Sequence, residues 1–261
     1  MVTHGICQLT LIPVRKDPAE RSEMTTQILF GETFDVLQTE GSWSLIKSHL
    51  DNYKGWITTK MFIAMNDNEF LSFQKKQKVY LKDAVCKIFQ SVTHLPITYL
   101  AGGSTLIEEN GQILIGGNVL MLENNAELHH PDSKPDIPGT AHKFLNTPYL
   151  WGGRTIFGVD CSGLTQTVYK MNGISIPRDA HQQAEIGKTV LDVKTAKPGD
   201  LAFFEREDGH IIHTGIVLEN SRIMHSSGKV RIDKLDDQGI LNVDSNQHSH
   251  KLRIIKKMLP E

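Results

Sequence analysis

Residues 129–139 read HHPDSKPDIPG, and no other stretch limits the fold of this chain as strongly. Three prolines with polar neighbours run through neither a helix nor a central strand, so the apolar segments on either side must close into separate cores. The two sides also differ in pattern. Up to about residue 60, the apolar marks Val36, Trp43, Leu45, Ile46, Trp56 and Ile57 are punctuated by Gly31, Glu40-Gly41 and Asp51-Asn52. That is the alternation of short strands and turns. The opening residues, MVTHGICQLTLIPVR, read as a first strand. From about Val79 to Leu122 a second all-β stretch follows, with strands expected over 97–100, 104–107, 113–115 and 119–122 between Gly102-Gly103, Asn110-Gly111 and Gly116-Gly117. Two small barrels over residues 1–65 and 66–130 are the economical reading, with Asn66 to Gln77 either a linker or a short helix between them.

Beyond the break, residues 131–261 place helices before strands. A short helix is expected over Ala141 to Leu145, ahead of Pro148. A second begins at Cys161, where Asp160 is a good N-cap, Leu164, Val168 and Met171 share one helical face, and Asn172-Gly173 supplies a stop. Consecutive strands are then expected over 201–205, 213–218, 222–227, 230–235 and 252–258. A cysteine-bearing helix packed on an antiparallel sheet is an α+β layout.

Composition removes several function classes. Lys and Arg number 28 against 30 acidic residues, a net charge of −2, so the chain has no basic field for a nucleic-acid backbone. No apolar run approaches the roughly 18 residues of a membrane span. The first basic residue is Arg15 and no small-residue cleavage site follows the apolar start, which argues against a secretory signal. Three widely spaced cysteines, Cys7, Cys86 and Cys161, fit reduced thiols rather than a disulfide framework, and a cytoplasmic location is expected.

The chemistry gathers in the last segment. A thiol at the first turn of a helix feels the partial positive charge of unpaired N–H groups, which favours the nucleophilic thiolate, and Cys161 is such a thiol. His213 opens one expected strand and His225 lies on the next, so a reversal at Glu219 to Ser221 brings the two imidazoles together. A Cys161-His213-His225 triad follows, with His213 as base and His225 orienting it. Cys7 and Cys86 read as buried structural thiols. His129-His130 and His248-x-His250 have no companion CxxC or HExxH, so neither a metal nor another cofactor is expected.

Six strings in order carry a resemblance: Tyr149 to Gly153, Asp160 to Gly163, Pro177 to Gln183, Pro198 to Leu201, His213 to Ile216, and His225. Together they resemble the NlpC-type family of papain-like cysteine peptidases. The resemblance implies a papain-like domain that hydrolyses the γ-D-glutamyl-L-diamino-acid bond of murein peptides, with Cys161 attacking the carbonyl, His213 shuttling the proton and His225 orienting it. The Cys161 backbone N–H and the Tyr149 hydroxyl would hold the oxyanion, and Trp151, Asp160 and Ser162 would meet substrate.

The front of the chain, from RSEMTTQILFGETFDVL through Trp43 to YKGW, is similar to the bacterial SH3-like domains fused to such peptidases. The second barrel matches by position and β character. In relatives of this layout the first domain restricts the cleft to peptides with a free N-terminal L-alanine. The residues implied to receive that amine are Glu23, Tyr53 and Asp179, with Glu20 or Glu32 the other candidates for the first. Ala180 stands where relatives carry serine. The expected partner is a murein tri- or tetrapeptide, handled by a monomer in cell-wall recycling. Two rival readings share the scaffold: a general wall hydrolase or thiol acyltransferase, and a catalytically silent wall-peptide binder.

Overall fold

The computed structural model describes residues 4–93, 95–110, 112–115, 118–123 and 126–259. They form two compact units, one of residues up to Lys134 with Lys170–Ser175, the other of Pro135–Tyr169 with Ile176 onward.

The first unit holds two seven-stranded antiparallel sheets. Its first sheet comprises β1 (His4–Ile6), β2 (Leu11–Arg15), β3 (Met24–Leu29), β4 (Thr33–Glu40), β5 (Trp43–Ser48), β6 (Lys54–Thr58) and β7 (Ile63–Met65). The opening run is thus two strands rather than one. Pro13 sits within β2 opposite Gln27 of β3, where its missing N–H costs no bond because β6 joins β2 only at Arg15. Ile12, Val14, Ile28, Phe34, Ile46 and Ile57 fill the core together with Cys7.

Residues 66–77 resolve into a helix, α1 (Asp67–Lys75). The Asn66 side chain accepts from the N–H groups of Asn68 and Glu69 while Glu69 returns to the Asn66 N–H, a closed capping box. The second sheet comprises β8 (Lys78–Leu81), β9 (Val85–Gln90), β10 (Pro96–Ala101), β11 (Thr105–Glu109), β12 (Gln112–Ile115), β13 (Asn118–Leu122) and β14 (Leu128–His129). Its core is Val79, Leu81, Cys86, Ile88, Leu100, Leu106, Ile113 and Leu120. The expected turn residues Gly111, Gly116 and Gly117 lie outside the described residues.

The second unit begins with α2 (Ile137–His142), four residues ahead of the helix expected over 141–145. Asp136 caps it through the Gly139 N–H at 2.9 Å, and Pro138 occupies the first turn, where a missing N–H is harmless. A short hairpin of β15 (Arg154–Thr155) and β16 (Gly158–Val159) leads into α3 (Cys161–Lys170), which starts where Asp160 predicted, and α4 (Ala180–Glu185) follows. The expected face is fully buried: Leu164 and Val168 of α3 and Met171 just past its end are at 0% exposure.

Seven strands complete the unit: β17 (Lys188–Val190), β18 (Leu201–Glu205), β19 (Ile211–Leu218), β20 (Arg222–Ser227), β21 (Lys229–Asp236), β22 (Gly239–Asn242) and β23 (Gln247–Lys257). Their order is β17-β23-β18-β19-β20-β21-β22, and β22 pairs back onto β23, so the sheet curls toward closure around Phe204, Val217, Ile223, Leu235, Ile240 and Ile255. The sequence reading found five of these strands and missed β17 and β22, whose three and four residues are too short to show alternation. Among the described residues no helix is long and apolar enough to cross a membrane.

Candidate active site

Strand register sets the site. Gly215 of β19 lies opposite His225 of β20, and His225 lies opposite Arg231 of β21. His213 and Asp233 are each one pleat repeat away, so all three side chains fall on one face as diagonal neighbours. Gly215 makes this possible: a Cβ there would stand 2.9 Å from the His225 Cβ and 2.8 Å from Ile223 Cδ1.

The result is a hydrogen-bonded line. His213 Nε2 is 2.9 Å from His225 Nδ1, and His225 Nε2 is 2.9 Å from Asp233 Oδ2. An ionised carboxylate only accepts, so His225 Nε2 carries the hydrogen, His225 Nδ1 accepts from His213 Nε2–H, and Nδ1 of His213 is left as the basic nitrogen. Asp233 also accepts from Arg231 Nε and Nη2 at 2.7 and 2.9 Å and from the Val243 N–H at 2.9 Å. Burial opposes its charge, yet hydrogen bonds from His225, Arg231 and Val243 hold the carboxyl well below the usual carboxylate range.

A third ring, His250 of β23, stacks on His213 with centroids 4.1 Å apart, so His213 is wedged between two imidazoles. Burial, then the neighbouring His225, pulls His250 down to about 4. Burial with His250 and His225 keeps His213 well below the ordinary histidine range.

Cys161 starts α3 under a clamp of buried charge. Asp160 accepts from the N–H groups of Gly163 at 2.6 Å and Gly152 at 2.8 Å, and its carboxylate is ion-paired with the guanidinium of Arg178. Arg178 also reaches Ser162 Oγ at 2.8 Å. From α4, Gln183 Nε2 donates to the carbonyls of Ser162 and Pro177 at 3.1 and 2.8 Å. Gly163 is required by crowding, because a Cβ would sit 2.1 Å from the Gly153 carbonyl oxygen.

Cys161 is 9% exposed as a residue, and its sulfur is reached by the backbone N–H groups of Thr214 and Ser162, the former next to His213. Burial first, then the charge of Asp160, nevertheless pushes Cys161 up to about 11. Desolvation here outweighs the N–H groups from which a lowered thiol is expected at the helix start. Tyr149 is pushed up to about 12 by burial, with Cys161 and Asp160 adding, so its hydroxyl stays protonated as a donor.

The other expected site residues lie as follows. Trp151 is 60% exposed in the turn before β15. Asp179 is half-buried at the N-cap of α4, in a capping box with Gln182. In the first unit, Glu23 is exposed immediately before β3, and Tyr53 is half-buried in the turn from β5 to β6, its N–H on Asp51 Oδ1. Glu32 is buried, ion-paired with Lys170 and accepting the Leu29 N–H, whereas Glu20 is exposed beside Arg15. Asp233 and Arg178 escaped the sequence reading, and His250 was weighed there only as half of a metal-binding pair. Arg178 lay inside the Pro177 to Gln183 string, while Asp233 left only its two-residue offset from Arg231 in a strand.

A profile of the NlpC/P60 family matches residues 146–246, and one of the bacterial dipeptidyl-peptidase SH3 domain matches residues 14–61. A gamma-D-glutamyl-L-lysine dipeptidyl-peptidase of Bacillus subtilis is 30% identical over 217 residues, covering 77% of this chain and 71% of that one. Its Bacillus cereus counterpart is 28% identical over 228 residues, covering 78% and 68%. The crystal structure of an NlpC/P60 family protein from Bacillus cereus superimposes with a TM-score of 0.83 at 20% identity, over 99% of this chain and all of that one. The fold is therefore that of an NlpC/P60 protein with an SH3-like N-terminal domain.

Proposed function

This chain belongs to the NlpC/P60 family of cysteine-type hydrolases, and from that premise we propose that it cleaves the γ-D-glutamyl-L-diamino-acid bond of murein peptides bearing a free N-terminal L-alanine. The observation that carries the reading is the line Asp233–His225–His213 ending at the residue whose neighbour's N–H touches the Cys161 sulfur.

In the proposed reaction His213 Nδ1 takes the thiol proton as Sγ bonds to the γ-carbonyl carbon, and the carbonyl π pair moves to oxygen. The Cys161 backbone N–H and the Tyr149 hydroxyl stabilise that oxyanion. Collapse breaks the C–N bond, and the departing amine takes the proton from His213. Water, deprotonated by the same imidazole, then hydrolyses the thioester, releasing L-Ala-D-Glu and restoring the thiol. His225 orients His213 throughout, and Asp233 fixes the tautomer of His225.

The finer organisation belongs to the same proposal. Residues 131–261 are read as a papain-like domain in which α3 presents the nucleophile to the antiparallel sheet, and residues 1–65 and 66–130 as two SH3-like barrels. Glu23 and Tyr53 with Asp179 are assigned to the substrate amine, and Trp151, Asp160 and Ser162 to the peptide, the last two held at the helix start by Arg178. A monomer is the assembly assigned. Three free thiols support a reducing compartment, and the cytoplasmic recycling of wall peptides is the role assigned.

The test is mass spectrometry of the fragments from L-Ala-γ-D-Glu-L-Lys and its diaminopimelate analogue, free and N-acetylated. Release of L-Ala-D-Glu from the free peptide far faster than from the acetylated one is expected. Cleavage at another bond refutes the reading.

A further inference from the structure

The first unit holds a second cluster of histidines, which the proposed reaction does not use. His4 of β1 pairs with Asp35 of β4, and His49 follows β5. One oxygen, Asp35 Oδ1, stands 2.9 Å from His4 Nδ1 and 2.8 Å from His49 Nε2, and the three ligand atoms lie within 4.8 Å of one another.

A carboxylate offers only lone pairs, so each facing nitrogen must bring a proton or share a cation with it. The outer nitrogens are also committed. His49 Nδ1 is 2.9 Å from the Thr33 hydroxyl, and His4 Nε2 is 3.5 Å from Asp67 Oδ1 at the first residue of α1. Each ring thus has the shared Asp35 oxygen on its inner side and a hydroxyl or a second carboxylate on its outer side. Held by a metal, the same contacts are those of ligating histidines, which donate their second N–H to a carboxylate or another oxygen that fixes ring and tautomer. Phe70 of α1 adds a floor, its ring stacked on His4 at 4.0 Å and tilted against His49 at 4.7 Å.

We propose that His4 Nδ1, Asp35 and His49 Nε2 form a three-ligand site for a divalent ion of the zinc class, with Thr33 and Asp67 as outer partners and a fourth position open to water. Two imidazoles and a carboxylate suit zinc rather than magnesium or calcium. Zinc–ligand bonds of roughly 2.0–2.2 Å in a tetrahedron place donor atoms about 3.3 Å apart, so each nitrogen–oxygen pair need open by only about half an ångström, and the two nitrogens lie within 4.8 Å of each other. The ion would tie β1, β4 and the end of β5 together and, through Asp67, hold the start of α1. Ligands 31 and 14 residues from Asp35 form no spacing motif, which is why the sequence conceals them.

The test uses the 261-residue chain without an affinity tag, as wild type and as Cys161→Ala so that the thiol cannot compete for metal. After equilibration with zinc chloride and removal of the excess, elemental analysis should give one zinc per chain in both, with a raised Tm. His49→Gln and Asp35→Asn should retain none and lose the rise in Tm, while His248→Gln should still hold one. Cobalt(II) bound to Cys161→Ala should show a tetrahedral nitrogen–oxygen spectrum, a reading that needs no substitution within the cluster. Failure of Cys161→Ala to retain metal, or retention of a full equivalent by folded His49→Gln, overturns the site.

Discussion

Replacing Asp233 by Asn keeps the shape of the site and exchanges one oxygen for an NH2 group, which makes it a sharp probe of the histidine line. In the native protein Oδ2 receives His225 Nε2 and Arg231 Nε, while Oδ1 receives Arg231 Nη2 and the Val243 N–H. With the amide nitrogen at the Oδ1 position, two donors that cannot change, Arg231 Nη2 and Val243 N–H, face another donor. With it at the Oδ2 position only Arg231 Nε is in fixed conflict, because the imidazole can move its proton from Nε2 to Nδ1. The second arrangement therefore wins by about one hydrogen bond to a charged group, on the order of 1.5–3 kcal/mol.

That choice reverses the line. His225 Nδ1–H now points at His213 Nε2, which must accept, and the proton of His213 moves to Nδ1, the nitrogen needed as base. Populating the productive tautomer against 1.5–3 kcal/mol costs roughly ten- to 150-fold, and loss of the charge that stabilises the imidazolium adds to it. Asp233→Asn should thus lower kcat on the free tripeptide by about two orders of magnitude or more with little change in KM, in a protein whose circular dichroism is native. Wild-type kcat in folded Asp233→Asn would refute the tautomer argument.

Other perturbations separate the remaining roles. His213→Ala should abolish nearly all turnover whereas His225→Ala should leave more, and a His213→Ala enzyme at wild-type rate contradicts the assignment. Because the Cys161 thiol is pushed up to about 11, its alkylation by iodoacetamide should keep rising between pH 7 and 10; a plateau near neutrality would mean a preformed thiolate. His250 has its folded value lowered to about 4, below the unfolded one near 6.5, so its contribution to stability is present above about pH 6.5 and lost as pH falls toward 4. The Tm of His250→Phe should accordingly fall less than that of wild type between pH 7 and pH 5, and an equal fall counts against the assignment. Glu23→Ala should narrow the preference for free over N-acetylated tripeptide, since the contact it removes is a charge-assisted one of about 1.5–3 kcal/mol; an unchanged ratio removes Glu23 from the amine site.

What the sequence disclosed and what it concealed divide along physical lines. Asp160, Cys161 and the Leu164, Val168, Met171 face were legible because a cap and a helical period are local signals. His213 and His225 were legible because one short reversal joins their strands. Asp233 was not, since its partnership with His225 arises only from the register of β21 against β20. His250 enters from β23, which reaches the site through the curl of the sheet. The direction of the Cys161 shift also required the structure: a helix start is visible in sequence, but the depth of burial that outweighs it is not. The early start of α2 turned on Asp136, a cap hidden within a proline-rich string that read as a boundary.

The most direct test of the proposed chemistry is to trap the acyl-enzyme. Excess enzyme is mixed with L-Ala-γ-D-Glu-L-Lys, quenched in acid within milliseconds to seconds, digested and analysed by mass spectrometry. The account predicts an L-Ala-γ-D-Glu acyl group in thioester linkage on the peptide containing Cys161, absent from Cys161→Ala and enriched in wild type at the earliest times. The acyl group on Cys7 or Cys86, or full turnover by Cys161→Ala, would contradict it.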